Sequence, residues 1–270
     1  MPTVRRTPTF ARLALGLSAG LLACTAQTAL AQDFDSVRLG GAPREGGRVG
    51  GVVFSSPAYK GSDERKAALL PVVEYRWANG FFAGVGSGVG YEFLRGEGTV
   101  AGVRLTPDMG RKESRADALK GMGDIGAKPE VGVYLNHAFA PFGVGISTNL
   151  RYGAGGNGLL ADVGVGWGMP LAPTVRLRLG AAATLANSAY MQKFFGVTAE
   201  QSATSGYAVT EARAGVRDTR LSVGVLWAIS PKLAMTGGLT ATQLASDAAN
   251  SPLTRQRSGF SAASTLTYAF

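Results

Sequence analysis

The sequence predicts an all-β fold: a transmembrane antiparallel β-barrel of twelve strands, with ten as the alternative count. Three observations predict it. The N-terminus reads as an export signal, segment after segment alternates between an apolar face and a small or polar face, and the chain ends on an aromatic strand, TLTYAF. Segments of about ten residues with one apolar side, joined by alternating short and long links, are the pattern of bacterial outer-membrane barrels. A closed barrel pairs its backbone groups inside lipid and leaves no edge.

Residues 1–31 carry Arg5, Arg6 and Arg12, an apolar run from Leu13 to Ala23, and Ala29-Leu30-Ala31 just before Gln32. That is the layout of a secretory signal peptide with an A-x-A cleavage site. The run is shorter than the about 20 residues a membrane-spanning helix needs. Leu21-Leu22-Ala23-Cys24 has the form of a lipobox, so lipidation at Cys24 is the alternative to cleavage after Ala31. Cys24 is the only cysteine, which leaves residues 32–270 without thiols for disulfides, zinc-cysteine sites or cysteine catalysis. Cleavage removes three arginines and no acid, lowering the formal charge from +9 to +6. On an exported chain an excess of base points to anionic lipid, lipopolysaccharide or peptidoglycan rather than to nucleic acid. No further apolar stretch is long enough for a helical span, so residues 32–270 are read as one barrel domain.

Candidate strands run near 49–55, 69–77, 80–93, 98–107, 127–138, 141–152, 159–169, 174–186, 218–229, 232–244 and 259–270. In 69–77, Pro71, Val73, Tyr75 and Trp77 oppose Val72, Glu74 and Arg76. In 80–93, Phe81, Ala83, Val85, Val89, Tyr91 and Phe93 oppose Gly84, Gly86, Gly88 and Gly90. That strict period of two argues for strand over a G-x-G-x-x-G phosphate loop, which would need a following helix. The glycine face would look into the lumen and leave room there. In 141–152, Phe142, Val144, Ile146 and Leu150 oppose Gly143, Gly145, Ser147 and Arg151. In 159–169, Val163, Val165 and Trp167 oppose Asp162, Gly164 and Gly166. In 218–229, Leu221, Val223, Val225 and Trp227 oppose Arg220, Ser222 and Gly224. Turn residues such as Ala78-Asn79-Gly80 and Ser230-Pro231-Lys232 separate the segments. Aromatics near strand ends (Tyr75, Trp77, Tyr91, Tyr152, Trp167, Trp227) suit interfacial girdles.

These are eleven segments, and a bacterial barrel with both ends in the periplasm needs an even number. Either DFDSVRLG at 33–40 adds a strand or one segment before residue 108 is misread, because the short–long alternation of links breaks there.

By parity, Glu74, Arg76, Glu92, Arg104, Glu130, Arg151, Asp162, Arg176, Arg178 and Arg220 point into the lumen, where charge avoids the cost of lipid. They either pair and fill the barrel or line a polar passage biased toward anions. Tyr190, Met191, Phe194 and Phe195 lie in the longest link and are too apolar for free solvent. They are expected to fold over the mouth as a cap, with an exposed partner-binding patch as the alternative. Leu266, Tyr268 and Phe270 share the apolar face of the final strand. Tyr59-Lys60-Gly61-Ser62-Asp63 reads as an ordinary turn. His137, the only histidine, reads as a solvated residue beside a turn, with no second histidine or cysteine to share a metal. No G-x-S-x-G elbow surrounds a serine, and no catalytic, cofactor or metal site is assigned.

A family resemblance follows from specific blocks: SSPAYKGSDERKAALLPVVEYRW at 55–77, GMGDI at 121–125, GGNGLLADVG at 155–164, AYMQKFFGV at 189–197 and NSPLTRQRSGFSAASTLTYAF at 250–270. Together they resemble the MipA/OmpV family (MltA-interacting protein) of bacterial outer-membrane proteins. Residues 111–117, RKESRAD, are mixed in charge where that family is often acidic, and Asn157 stands where it often has histidine. The resemblance implies an outer-membrane location, a terminal strand read by the barrel assembly machinery, and a scaffold joining a murein lytic transglycosylase to a peptidoglycan synthase. Adhesion is a further role that it implies. A narrow, porin-like channel for small anionic solutes is the alternative from the lumen charges.

Overall fold

Alternation at period two becomes a closed wall. A computed structural model describes residues 45–139, 143–153 and 157–270, and its strands run in chain order around one antiparallel barrel. They are β1 (Gly46–Pro57), β2 (Arg65–Arg76), β3 (Phe81–Gly84), β4 (Gly88–Arg95), β5 (Thr99–Asp108), β6 (Lys128–Phe139), β7 (Val144–Gly153), β8 (Gly158–Ala172), β9 (Val175–Ala186), β10 (Gly215–Ala228), β11 (Leu233–Leu244) and β12 (Ser258–Ala269). β12 closes on β1, with Val52 opposite Thr265. The Gly47 and Phe270 backbones exchange hydrogen bonds of 3.1 and 3.0 Å. The signal peptide, Cys24, residues 33–40 and Phe142 lie outside the described residues.

The barrel is apolar outside and charged inside. Leu69, Val89, Phe93, Leu150, Val163, Leu221 and Phe260 are exposed on the outer surface, while Glu74, Glu92, Glu130, Arg151 and Arg220 are buried within. A water-soluble barrel would have the reverse arrangement, whereas lipid requires this one. Among the described residues no helix is long and apolar enough to cross a membrane. Long links fall at one end of the barrel, the outer end by the rule that periplasmic turns are short. They carry helices α1 (Ser188–Phe195), α2 (Ala199–Ser205) and α3 (Ser246–Asn250) and two short 3-10 turns, Glu113–Arg115 and Asp117–Leu119.

One sequence expectation is corrected here. The stretch 80–93 is a hairpin, not one strand: Gly84 pairs with Gly88 across Val85-Gly86-Ser87. This accounts for the odd count, and the barrel has twelve strands. Gly88 takes φ of +74°, and a Cβ there would sit 2.2 Å from the Leu105 carbonyl oxygen. Only glycine turns the chain at that point without strain. Nor do Gly90 and Gly102, which face the lumen, leave open space. A Cβ on Gly90 would strike the Phe82 ring, and one on Gly102 would lie 2.8 Å from the Tyr134 hydroxyl. Phe82 itself is 2% exposed, so the room is filled by aromatic rings from within the barrel. His137 lies near the end of β6, and its Nδ1 is 2.7 Å from Thr99 Oγ1 on β5.

Candidate functional site in the barrel lumen

The inward charges form two clusters at different depths. The one nearer the periplasmic end draws on β1, β2, β4 and β6. Arg48 Nη2 donates to Glu74 Oε2 at 2.7 Å and Arg76 Nε to Glu74 Oε1 at 2.7 Å. Arg76 also donates to Glu92, which accepts from the Tyr134 hydroxyl at 3.1 Å. The Arg76 guanidinium stacks 4.8 Å above the Phe82 ring and Arg104 lies 5.7 Å from the Tyr134 ring centre. Each buried carboxylate thus meets an opposite charge, the condition under which burial is tolerated.

The outer cluster crosses β6 to β10. Arg151 donates to Glu130 at 3.4 Å and to Asp162 at 2.8 Å. Asp162 accepts from Thr184 Oγ1 at 2.6 Å and lies 3.5 Å from Arg220, which reaches Asp218 at 3.5 Å. Arg217 bonds Asp218 at 2.6 Å and the Tyr190 hydroxyl at 3.0 Å. The neighbours Arg217 and Asp218 are both buried because a β-bulge lies between Val216 and Asp218. A bulge adds a residue to one strand and re-aims a side chain.

A folded cap lies over this cluster. Asn187 caps α1 by accepting from Tyr190 N at 3.0 Å, and the same oxygen accepts from Leu159 N of β8 at 3.0 Å. That double use pins the helix to the rim. Tyr190, Met191 and Phe195 pack with Leu160, Ala186, Leu244 and Ala248, and Phe194 is packed against them. Burial raises the Tyr190 phenol pKa. Beneath the outer links is a cavity of about 380 Å³, lined by Tyr59, Arg111, Arg115, Phe194 and Arg257 among others. Burial pushes the Tyr59 phenol up to about 12 and lowers the pKa of Arg111, which stays a cation.

Eight of the ten charges that parity directs inward belong to the two clusters. Arg176 and Arg178 do not. They sit in the periplasmic half of β9, and Arg178 pairs across the sheet with Gly168 and Gly224. Leu266, Tyr268 and Phe270 are exposed on the outer surface. Arg48, Arg217 and Asp218 belong to the clusters but not to the sequence expectation. Arg48 and Asp218 carry a parity signal at strand starts, whereas the bulge at Arg217 has none. Among the described residues no group of three or more His, Cys, Asp or Glu side chains could hold a metal.

The family model described as MipA, MltA-interacting protein MipA, matches residues 49–270. The chain belongs to the MipA family. No curated protein matches it in sequence. Among solved structures it is similar to the KdgM porin, at 9% identity and TM-score 0.44, covering 83% of this chain and 99% of that one. It is also similar to the NanC porin, at 8% identity and TM-score 0.45, covering 82% and 98%. OprD from Pseudomonas aeruginosa matches at 9% identity and TM-score 0.36, covering 84% and 66%. This MipA-family chain is an outer-membrane β-barrel.

Proposed function

We propose that this barrel is a non-enzymatic scaffold of the outer membrane. It holds cell-wall enzymes, a murein lytic transglycosylase and a peptidoglycan synthase, at its periplasmic end. The observation that carries this reading is the family match over residues 49–270, whose description names interaction with a transglycosylase. A lumen holding buried ion pairs and covered by α1 supports it, because neither feature suits bulk transport. Links at the periplasmic end are short, such as residues 77–80 and 173–174, so a partner there meets a compact rim. Lipid and lipopolysaccharide contact the outer face, and Leu266 and Tyr268 of β12 with the following Phe270 serve as the assembly signal. The test is capture from detergent extracts with a photo-crosslinking residue at Asn79. Repeated recovery of a murein hydrolase or synthase is expected. Repeated captures containing neither overturn the scaffold.

One observation favours a second reading. Arg176 and Arg178 make no ion pair among the described residues, and glycines flank Arg178 on both sides. A narrow anion-selective path along this side of the lumen would use them.

A further inference from the structure

The barrel wall has a window. β3 is four residues long while β2 has twelve, and the two pair only at Glu74, Tyr75 and Arg76. Pairing of β4 with β5 stops at Leu105. Above the Val85–Ser87 turn, the outer half of β2 therefore faces the end of β5 with no strand between. Val73 uses its carbonyl toward β3, accepting from Val85 N at 2.9 Å. By the two-residue alternation of a strand, Ala67, Leu69 and Pro71 aim their backbone groups into the same gap. Among the described residues, Ala67 and Leu69 make no hydrogen bond on that side.

Two features show that the gap is not built to take another strand. Pro71 and Pro107 both occupy positions where a ladder N–H would point into it, and proline has none. The loops roof the gap as well. Arg115 Nε donates to the Ala58 carbonyl, Asp117 N donates to Glu64 Oε1 at 2.8 Å, and Ala58, Ala116 and Leu119 pack together. Leu69, on the edge of the gap, is 72% exposed, the highest value among the large apolar side chains on the surface.

The 380 Å³ cavity reaches the edge of the window at Pro107, which lines it; eight of its lining residues are Lys or Arg and two are acids. Within it Arg111 is 5% exposed. Its Nη1 donates to the Phe194 carbonyl at 2.6 Å, while Nε and Nη2 have no partner. Those two nitrogens form the side-on fork that binds two oxygens of one anion.

We propose that this cavity and window bind a phosphate-headed membrane lipid. The phosphate takes the Arg111 fork, ester carbonyls accept from the free N–H groups of Ala67 and Leu69, and the acyl chains leave between Leu69 and Leu105 into the bilayer. Three chemistries follow in the order a phospholipid presents them. A free anion would use the first alone. This site is independent of the scaffold reading, since it faces outward and sideways.

The test uses the full mature chain, delipidated in neutral detergent and checked for folding by heat-modifiable gel migration. Native mass spectrometry follows titration with phosphatidylglycerol, with diacylglycerol, and with inorganic phosphate. A one-to-one phosphatidylglycerol adduct is expected, with no diacylglycerol adduct. Arg111→Gln should weaken it by about tenfold or more, the effect of losing a charged, hydrogen-bonded fork. Because that variant could disturb the roof, Ala67→Cys labelled with a bulky maleimide provides a second arm. It should block phosphatidylglycerol and leave inorganic phosphate unchanged. No adduct, or an adduct indifferent to both changes, overturns the proposal. Inorganic phosphate binding as tightly as the lipid overturns it in favour of a simple anion site.

Discussion

Arg151 donates from Nε to Asp162 Oδ2 at 2.8 Å, joining β7 to β8 inside the barrel. Asp162 also lies beside Arg220 and accepts from Thr184. Removing its carboxylate leaves two buried guanidiniums with less acid around them. Breaking a buried pair from one side costs about 3–5 kcal/mol. Asp162→Ala should therefore lower stability by about that amount in urea unfolding from lipid vesicles. A loss under about 1 kcal/mol would mean that water screens the cluster as it does a surface pair.

Gly88 turns the chain with φ of +74° against the Leu105 carbonyl. Any side chain meets both the backbone preference and that oxygen. Gly88→Ala should cost about 1–3 kcal/mol, read as a lower temperature for heat-modified migration. Gly123, also at positive φ but with no atom near its Cβ position, is the control and should lose less.

Why the hairpin at Gly88 is hidden in the sequence has a physical explanation. Side-chain direction alternates along a strand whatever its neighbours, so the lipid-facing residues are legible by parity. Across this turn Phe81 pairs with Tyr91 and Ala83 with Val89. Odd-numbered residues therefore stay outward on both strands, and the period never breaks. The clusters were legible in composition and direction but not in partnership. Glu74 and Glu92 are 18 residues apart, and only the pairing of β2 with β3 and of β3 with β4 brings Arg76 between them. Arg217 is different in kind, since its inward direction depends on a bulge that leaves no mark in the alternation. Phe82 lies on the glycine face, where the sequence pattern suggests an open bore. The glycines are there because that ring covers Gly90.

Tyr59 gives a pH signature for the roof of the outer cavity. Its hydroxyl donates to the Leu253 carbonyl at 2.7 Å, and burial raises its pKa from 10.0 to about 12. The folded state therefore holds this proton more tightly than the unfolded chain does. Between pH 10 and 12 the unfolded state binds fewer protons, so stability falls as pH rises. The contribution is complete below pH 10 and is lost through about pH 12. Limited proteolysis of the outer links should accelerate across this window while the barrel stays folded in detergent. Tyr59→Phe should flatten that rise. An equally steep rise in the variant would assign the opening to other groups.

Conductance separates the two functional readings. About eight strands make a barrel filled by side chains, whereas about 16–18 leave an aqueous channel. This barrel of twelve strands falls between, so its contents decide. The clusters around Glu74 and Asp162 put buried ion pairs along the inner wall, and Tyr190, Met191 and Phe195 cover the outer cluster. Arg178 and the neighbouring glycines lie on the same three strands as Asp162, Thr184 and Arg220, β8 to β10, closer to the periplasmic end. The intact chain should give little or no current in planar bilayers. Replacing residues 188–213 with a short glycine-serine link removes α1 and should produce steady, anion-selective steps. Arg176→Ala/Arg178→Ala in that background should abolish the selectivity, because those two cations alone among the predicted lumen charges lie outside the paired clusters. Large anion-selective steps from the intact chain, losing selectivity in the same double variant, would make it a porin and leave the scaffold role secondary.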